Sequence, residues 1–481
     1  MSYIVSVGME CHAELLTHSK MFCGCENAFG GEPNTRCCPV CLGLPGALPV
    51  FNKEAVKHVL RTSLALGCTI SRRTIFHRKN YFYPDLPKGY QISQYGQTPI
   101  GIDGFLEIET PEGDLKRINI TRVHLEEDTG KSLHSDGLGY SVVDYNRSSV
   151  PLMEIVTAFP PDIASGEEAR QYAENLRLVL LYLGVSDGKM EQGSLRAEPN
   201  PSIRKEGAEA YGTKTELKNL NSFRAVQLGV EYEARRQEAE LEAGKQVLQA
   251  TYGWDAEKGV TVLQRLKEGE QEYRYFPEPD LIPIEFTEDE IAAVLASLPE
   301  LPLAKKRRLI ADYGVSQGDA LQLIQDQALA NYFEAAATGA KDAKGVANWI
   351  LGDVARLSNA ANIVPYASKI TPELLRGLVD AISAGTITGK IAKELIEEMF
   401  TTGKSVQTLI DEKGIKVVDA SVVIDMVKRA IAANPDVVAK IKGGQEKAMG
   451  FLVGQVMKEA KGQARPDDVN RLLLDALAEL P

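Results

Sequence analysis

The sequence predicts an α+β fold, with a strand-rich, mixed-sheet domain first and helical domains after it. Three features carry this. The segments IVSVGMECHAEL (4–15) and RINITRVHLEED (117–128) alternate as half-buried strands do. Glycine and proline punctuate the same region in LGLPGALP, YPDLPKGY and YFPEPDLIP, and helical stretches are interleaved at 167–183 and 225–243. From SLPELPLAKKRR onward the periodicity is helical.

LPELP (298–302) reads as a connector. The expected layout is a mixed α+β domain over 1–294, a helical domain over 295–403 and a second helical unit over 404–481. The last helix is well marked. Pro466 suits its first turn, Asp467 and Asp468 favour its positive end, and Val469, Leu472, Leu473, Leu477 and Leu480 form one apolar stripe.

With 44% hydrophobic and 25% charged residues, the 481-residue chain has the composition of a soluble protein with a sizeable core. No apolar run approaches a membrane span, and Glu10 and His12 interrupt a start that also lacks a basic lead-in, so a cytoplasmic protein without membrane contact is expected. A net charge of −12 argues against coating nucleic acid through bulk charge. Residues 440–465 nevertheless carry a local excess of +4.

Seven cysteines, an odd number, argue against a disulfide framework. Cys23-x-Cys25 and Cys38-x-x-Cys41 have the look of a structural four-cysteine zinc site, with Pro39 and Gly43 supplying the turn. Free structural thiols are the other reading. Cys37 could stand in for Cys38, but only Cys38 gives the two-residue gap.

Glu10 and His12, two apart in a strand, emerge on one face and could share a divalent metal; the same spacing fits a surface glutamate beside a partly buried histidine. LEEDTGKS (125–132) sets Glu126, Glu127 and Asp128 together, which repel unless a cation intervenes; Mg²⁺ would suit them, as would a solvated acidic turn. The trailing Gly130-Lys131-Ser132 is no P-loop, because Leu125 stands where the first glycine belongs.

In YGTKTELKNLNSF (211–223), Glu216 shares a strand face with Lys214 and Lys218, which suits metal and phosphate or a solvated sheet face. MEQGSLRAEPN (190–200) adds Arg196 and Glu198 and is ambiguous by itself. FHRKNYFYPDLPKGYQIS (76–93) mixes Lys79, Arg78 and Lys88 with Tyr81, Phe82, Tyr83 and Tyr90; it suits a nucleotide or RNA end, or a core strand flanked by charges.

Taken together these stretches, with FGGEPNTRCCPVCLGLPGALPV, VDYNRSSVPLMEIV and KAMGFLVGQVMKEAKGQARP, closely resemble the B-subunit family of the glutamyl/aspartyl-tRNA amidotransferases, in order and over nearly the whole chain. The resemblance implies a cradle-shaped catalytic domain, a helical domain and a small helical tail that binds tRNA. It implies that ATP phosphorylates the side-chain carboxylate of Glu or Asp mischarged on tRNA(Gln) or tRNA(Asn). Ammonia, released from glutamine in an A subunit, then displaces the phosphate, and a C subunit completes a heterotrimer. By resemblance the Mg²⁺ site falls to Glu10, His12, Glu127 and Glu216, with Glu198 where the family usually has Asp, while Lys79 and Arg196 contact phosphate. A non-catalytic tRNA-binding scaffold is the competing reading; it would have no reason to gather carboxylates around a histidine.

Overall fold

The computed structural model describes residues 3–96, 99–110, 112–134, 140–266, 273–415, 420–442, 445, 448–460 and 463–478. Two compact units divide between Leu303 and Ala304. The first unit begins with β1 (Tyr3–Glu14), α1 (Lys53–Ala65), β2 (Thr69–Ile70), β3 (Arg73–Thr74), β4 (His77–Asn80), β5 (Tyr90–Ser93), β6 (Gly101–Glu109) and β7 (Leu115–Glu127). It continues with β8 (Lys131–His134), β9 (Ser141–Asp144), β10 (Pro151–Thr157), α2 (Gly166–Leu183), β11 (Leu195–Lys205), β12 (Glu216–Lys218), α3 (Phe223–Glu242), β13 (Ala250–Asp255) and β14 (Val260–Leu266).

Among the described residues, six strands form one sheet in the order β11-β1-β10-β7-β6-β2, antiparallel at every pairing. The mixed character comes from a three-stranded sheet in which β12 runs parallel to β13. One face of the large sheet is the core. Val7, Met9, Cys11 and Ala13 of β1 are almost wholly buried there, with Val123, Leu125, Met153, Ile155, Leu195 and Ala197. Val59 of α1, Leu176 and Leu180 of α2 and Val226 and Val230 of α3 belong to the same cluster. Each such side chain contributes about 1.5–3 kcal/mol on burial. Ser165 and Ser222 start α2 and α3 by accepting main-chain N–H bonds, and Gly184 ends α2 in the left-handed conformation.

A slip in register decides what the other face carries. Val156 of β10 opposes Arg122 of β7, but the next residue, Thr157, opposes Ile120, so Thr121 is an extra residue. Ile118 and Ile120 are core residues before the slip; Val123 and Leu125 are core residues after it. Arg122, His124 and Glu126 are thereby turned to the open face.

The expected connector at 298–302 belongs to the first unit. Ile291, Val294, Leu298 and Leu301 pack against the sheet core, which moves the division from 294 to 303. Among the described residues, every regular element of the second unit is a helix. Near its end Val423, Val427, Leu452, Val456, Val469 and Leu473 form a separate core cluster. Val469, Leu473 and Leu477 of the last helix, Pro466–Ala478, are buried, while Leu480 lies outside the described residues. The basic stretch 440–465 lies partly outside them as well, since Glu446, Lys447 and Lys461 are not described. Among the described residues, no helix is long and apolar enough to cross a membrane.

Candidate active site

Cross-strand register assembles the site on the open face of the large sheet, where facing residues lie in contact distance. One row runs Arg196, His12, Glu154 and His124 across β11, β1, β10 and β7. The next row runs Glu198, Glu10, Val156 and Arg122, and a third runs Glu14, Leu152 and Glu126. A cavity of about 610 Å³ stands over these rows. Lys79, Tyr81, Gln91 and Ser93 wall it from β4, β5 and the turn between them, Glu216 and Lys218 from β12, and Arg265, Tyr273 and Tyr275 complete it.

Two carboxylate groups stand out. His12, Glu126 and Glu154 bring ligand atoms within 4.8 Å of one another, and so do Glu10, Glu198 and Glu216. His12 Nε2 is 3.6 Å from Glu126 and 3.8 Å from Glu154. His124 Nε2 is 2.8 Å from the other oxygen of Glu154. Lys218 Nζ lies 3.3 Å from Glu198 and 3.4 Å from Glu216, and Thr251 donates to Glu216 at 2.7 Å. Asn200 donates to Glu10 at 3.3 Å. Arg196 pairs with the buried Asp128. Lys79 has its ammonium 4.8 Å from the Tyr273 ring centre.

Burial raises the Glu10 carboxyl above its usual range, with Glu154 adding to the effect. Burial opposes protonation of His124, but Glu154 and Glu126 outweigh it and push its pKa up to about 9. Burial likewise disfavours the Lys79 ammonium, yet Glu126 and Glu154 more than restore it. Oxygen-rich donor sets with one imidazole suit hard divalent ions such as Mg²⁺. His12 turns its Nε2 to the carboxylates, and its buried Nδ1 has no hydrogen-bond partner.

The cysteine element is distinct. Cys23, Cys25, Cys38 and Cys41 bring their sulfurs within 4.8 Å of one another, and Cys38 and Cys41 are 3.9 Å apart. A tetrahedral zinc with about 2.3 Å bonds has sulfur-to-sulfur edges of about 3.8 Å, so this set could hold one. The Cys38 N–H donates to Cys41 Sγ at 3.0 Å. Cys37 Sγ lies 3.8 Å from Asn146 Oδ1 and is not among the four converging sulfurs.

The structure thus brings Glu10, His12, Glu198, Glu216, Lys79 and Arg196 to one cavity and gathers the four cysteines elsewhere. Glu127 is a correction. It lies on the opposite side of β7 from the cavity, buried against Lys88, whose Nζ is 2.6 Å away, because the slip at Thr121 turns Glu126 and not Glu127 to the open face. Glu154 and His124 were not singled out from the sequence. The available signal was a lone acid in the apolar run VPLMEIV, and a histidine two residues from Glu126.

A sheet-based unit whose open face gathers carboxylates over a cavity, followed by a helical unit, is matched by two family descriptions. "GatB/GatE catalytic domain" covers residues 5–292 and "GatB domain" covers 331–477. The B subunit of the aspartyl/glutamyl-tRNA(Asn/Gln) amidotransferase of Moorella thermoacetica is 51% identical over 480 residues, 99% of this chain and all of the relative. Those of Carboxydothermus hydrogenoformans and Caldicellulosiruptor saccharolyticus are each 48% identical, covering 99% and 100% of this chain and the same shares of the relatives. The chain belongs to the B-subunit family of the aspartyl/glutamyl-tRNA(Asn/Gln) amidotransferases.

Proposed function

We propose that this chain activates the side-chain carboxylate of Glu or Asp carried on tRNA(Gln) or tRNA(Asn), as the ATP-using component of a glutamine-dependent carbon–nitrogen ligase. A carboxylate resists ammonia because its leaving group would be oxide. Transfer of the ATP γ-phosphoryl group to a carboxylate oxygen gives ADP and an acyl phosphate. Ammonia then attacks the acyl carbon, phosphate leaves, and a proton is released as the amide forms. Phosphoryl transfer asks mainly for positioning and charge neutralisation.

The observation that carries this reading is the convergence of His12, Glu126 and Glu154 with Glu10, Glu198 and Glu216 in one cavity lined also by Lys79, Arg196 and Lys218. Divalent ions held by the two carboxylate groups would supply the charge that lets ATP and the substrate carboxylate approach. Lys79 and Lys218 are placed to bind phosphate oxygens. Arg196, held by Asp128, is placed to orient them. Tyr81, Tyr273 and Tyr275 offer ring faces to the RNA end or the nucleotide base.

Ammonia comes from an A subunit that hydrolyses glutamine, and a C subunit completes a cytoplasmic heterotrimer. The tail from about 404 holds the tRNA body, and the four cysteines hold a structural zinc. The test is Glu126→Gln in the assembled complex. Amidation of mischarged tRNA should fall by about a hundred- to a thousandfold, the scale of a lost charge-stabilising group, while tRNA binding and assembly persist. Near-normal amidation would favour the scaffold reading instead.

A further inference from the structure

Glu127, expelled from the cavity, is fully committed on the other side of β7. Both its carboxylate oxygens meet Lys88 Nζ, at 2.6 and 2.7 Å. One also accepts the Ile92 N–H at 2.9 Å, and the Glu127 carbonyl accepts from Gln91 Nε2 at 2.7 Å. Main chain and side chain of β5 therefore hook onto one residue of β7.

What β5 carries makes the hook matter. Gln91 faces Lys79 across the β4–β5 pairing, so the register of β5 sets where the Lys79 ammonium stands. Ser93 Oγ, two residues on, donates to Glu126 Oε2 at 3.2 Å, and Gln94 Oε1 accepts the Leu125 N–H at 3.0 Å. The third side of the pair is the cysteine element. Gly43, two residues after Cys41, has a positive φ, and a Cβ there would stand 2.6 Å from Lys88 Cγ and 3.1 Å from its Cα. The loop thus rests directly on the lysine.

We propose that Lys88 and Glu127 are a positioning pair: they fix the hairpin bearing Lys79 against the strand bearing Glu126 and pass the order of the four-cysteine element to the cavity. A buried ion pair is a poor source of stability compared with apolar side chains of the same volume, so specificity of placement is the better account of this one. The inference rests on the proposed chemistry at the cavity.

The test uses the assembled complex. Glu127→Gln and Lys88→Met should each lower kcat for amidation at least about tenfold, a modest misplacement effect, with KM for ATP and for mischarged tRNA little changed. The paired variant Lys88→Met/Glu127→Gln removes both charges together and keeps an acceptor for the Ile92 N–H. It should regain the melting temperature of the parent while kcat stays low. Lys88→Arg keeps the pair and should keep kcat. A merely structural pair would let kcat return with the melting temperature in the paired variant. That result, or single variants turning over like the parent, overturns the proposal. A parent complex with no ATP-dependent amidation would instead refute the chemistry on which the proposal rests.

Discussion

His124 Nε2 stands 2.8 Å from Glu154 Oε2 across the β7–β10 pairing, and the ring is 3% exposed. The contact joins a row of the sheet whose next member is His12, so the charge on His124 sets how Glu154 presents its other oxygen to the cavity.

The pH dependence follows from that contact. Burial works against the proton on His124, and Glu154 and Glu126 override it to give a pKa of about 9, above the ordinary value of 6.5. A raised folded-state pKa stabilises fully below the unfolded value and ceases to do so as pH rises through the folded one. With no divalent cation added, the stability gap between the parent and His124→Gln should be widest near pH 6 and shrink by about pH 9.5. Denaturant melts of the two proteins at both pH values check this. An unchanged gap would mean that the histidine is neutral in the fold.

The cysteine element should carry one zinc per chain, detectable by elemental analysis of the purified protein. Cys41→Ser should abolish retention of the metal, because a three-thiolate remnant binds far more weakly. Cys37→Ser should leave it intact, since that sulfur is not among the four that converge. Equal zinc loss in both variants would remove the assignment.

Glu233 tests how the far wall of the cavity is held. It is wholly buried in α3 and accepts from Arg236 at 2.6 and 2.9 Å, from Thr215 at 2.9 Å and from Thr261 at 3.0 Å. Thr215 immediately precedes Glu216. Glu233→Leu removes the shared acceptor of two hydroxyls and one of the two carboxylates on Arg236, whose Nη1 keeps Glu240 at 2.8 Å, and should cost about 1–3 kcal/mol. Chemical denaturation of the purified chain measures it; a loss under about 1 kcal/mol would mean that water replaces the carboxylate.

Much of this was legible in the residues. Glu10 and His12 share a face because the period of β1 is unbroken from Val7 to Ala13. The second cysteine pair announced itself by spacing. Glu127 was assigned by resemblance, and local periodicity offered nothing to correct it. Alternation counted from Ile118 and Ile120 turns Glu127 outward and buries Arg122, His124 and Glu126, and the extra residue at Thr121 reverses that parity. A register slip depends on the partner strand, which local periodicity does not contain. The division at 303 was hidden likewise, because Leu298 and Leu301 read as linker residues until a distant core receives them.

The order of strands in the large sheet has a consequence for the growing polypeptide. β1, made first, takes its two neighbours from β10 and β11, so Glu10 meets Glu198 only across a separation of 188 positions along the chain. Closing so long a loop is entropically costly and slow relative to local pairing. During synthesis, a ribosome-bound chain that has not yet emitted β11 and β12 holds Glu10 without Glu198 and Glu216. Topology alone therefore keeps unfinished chains from assembling that carboxylate cluster.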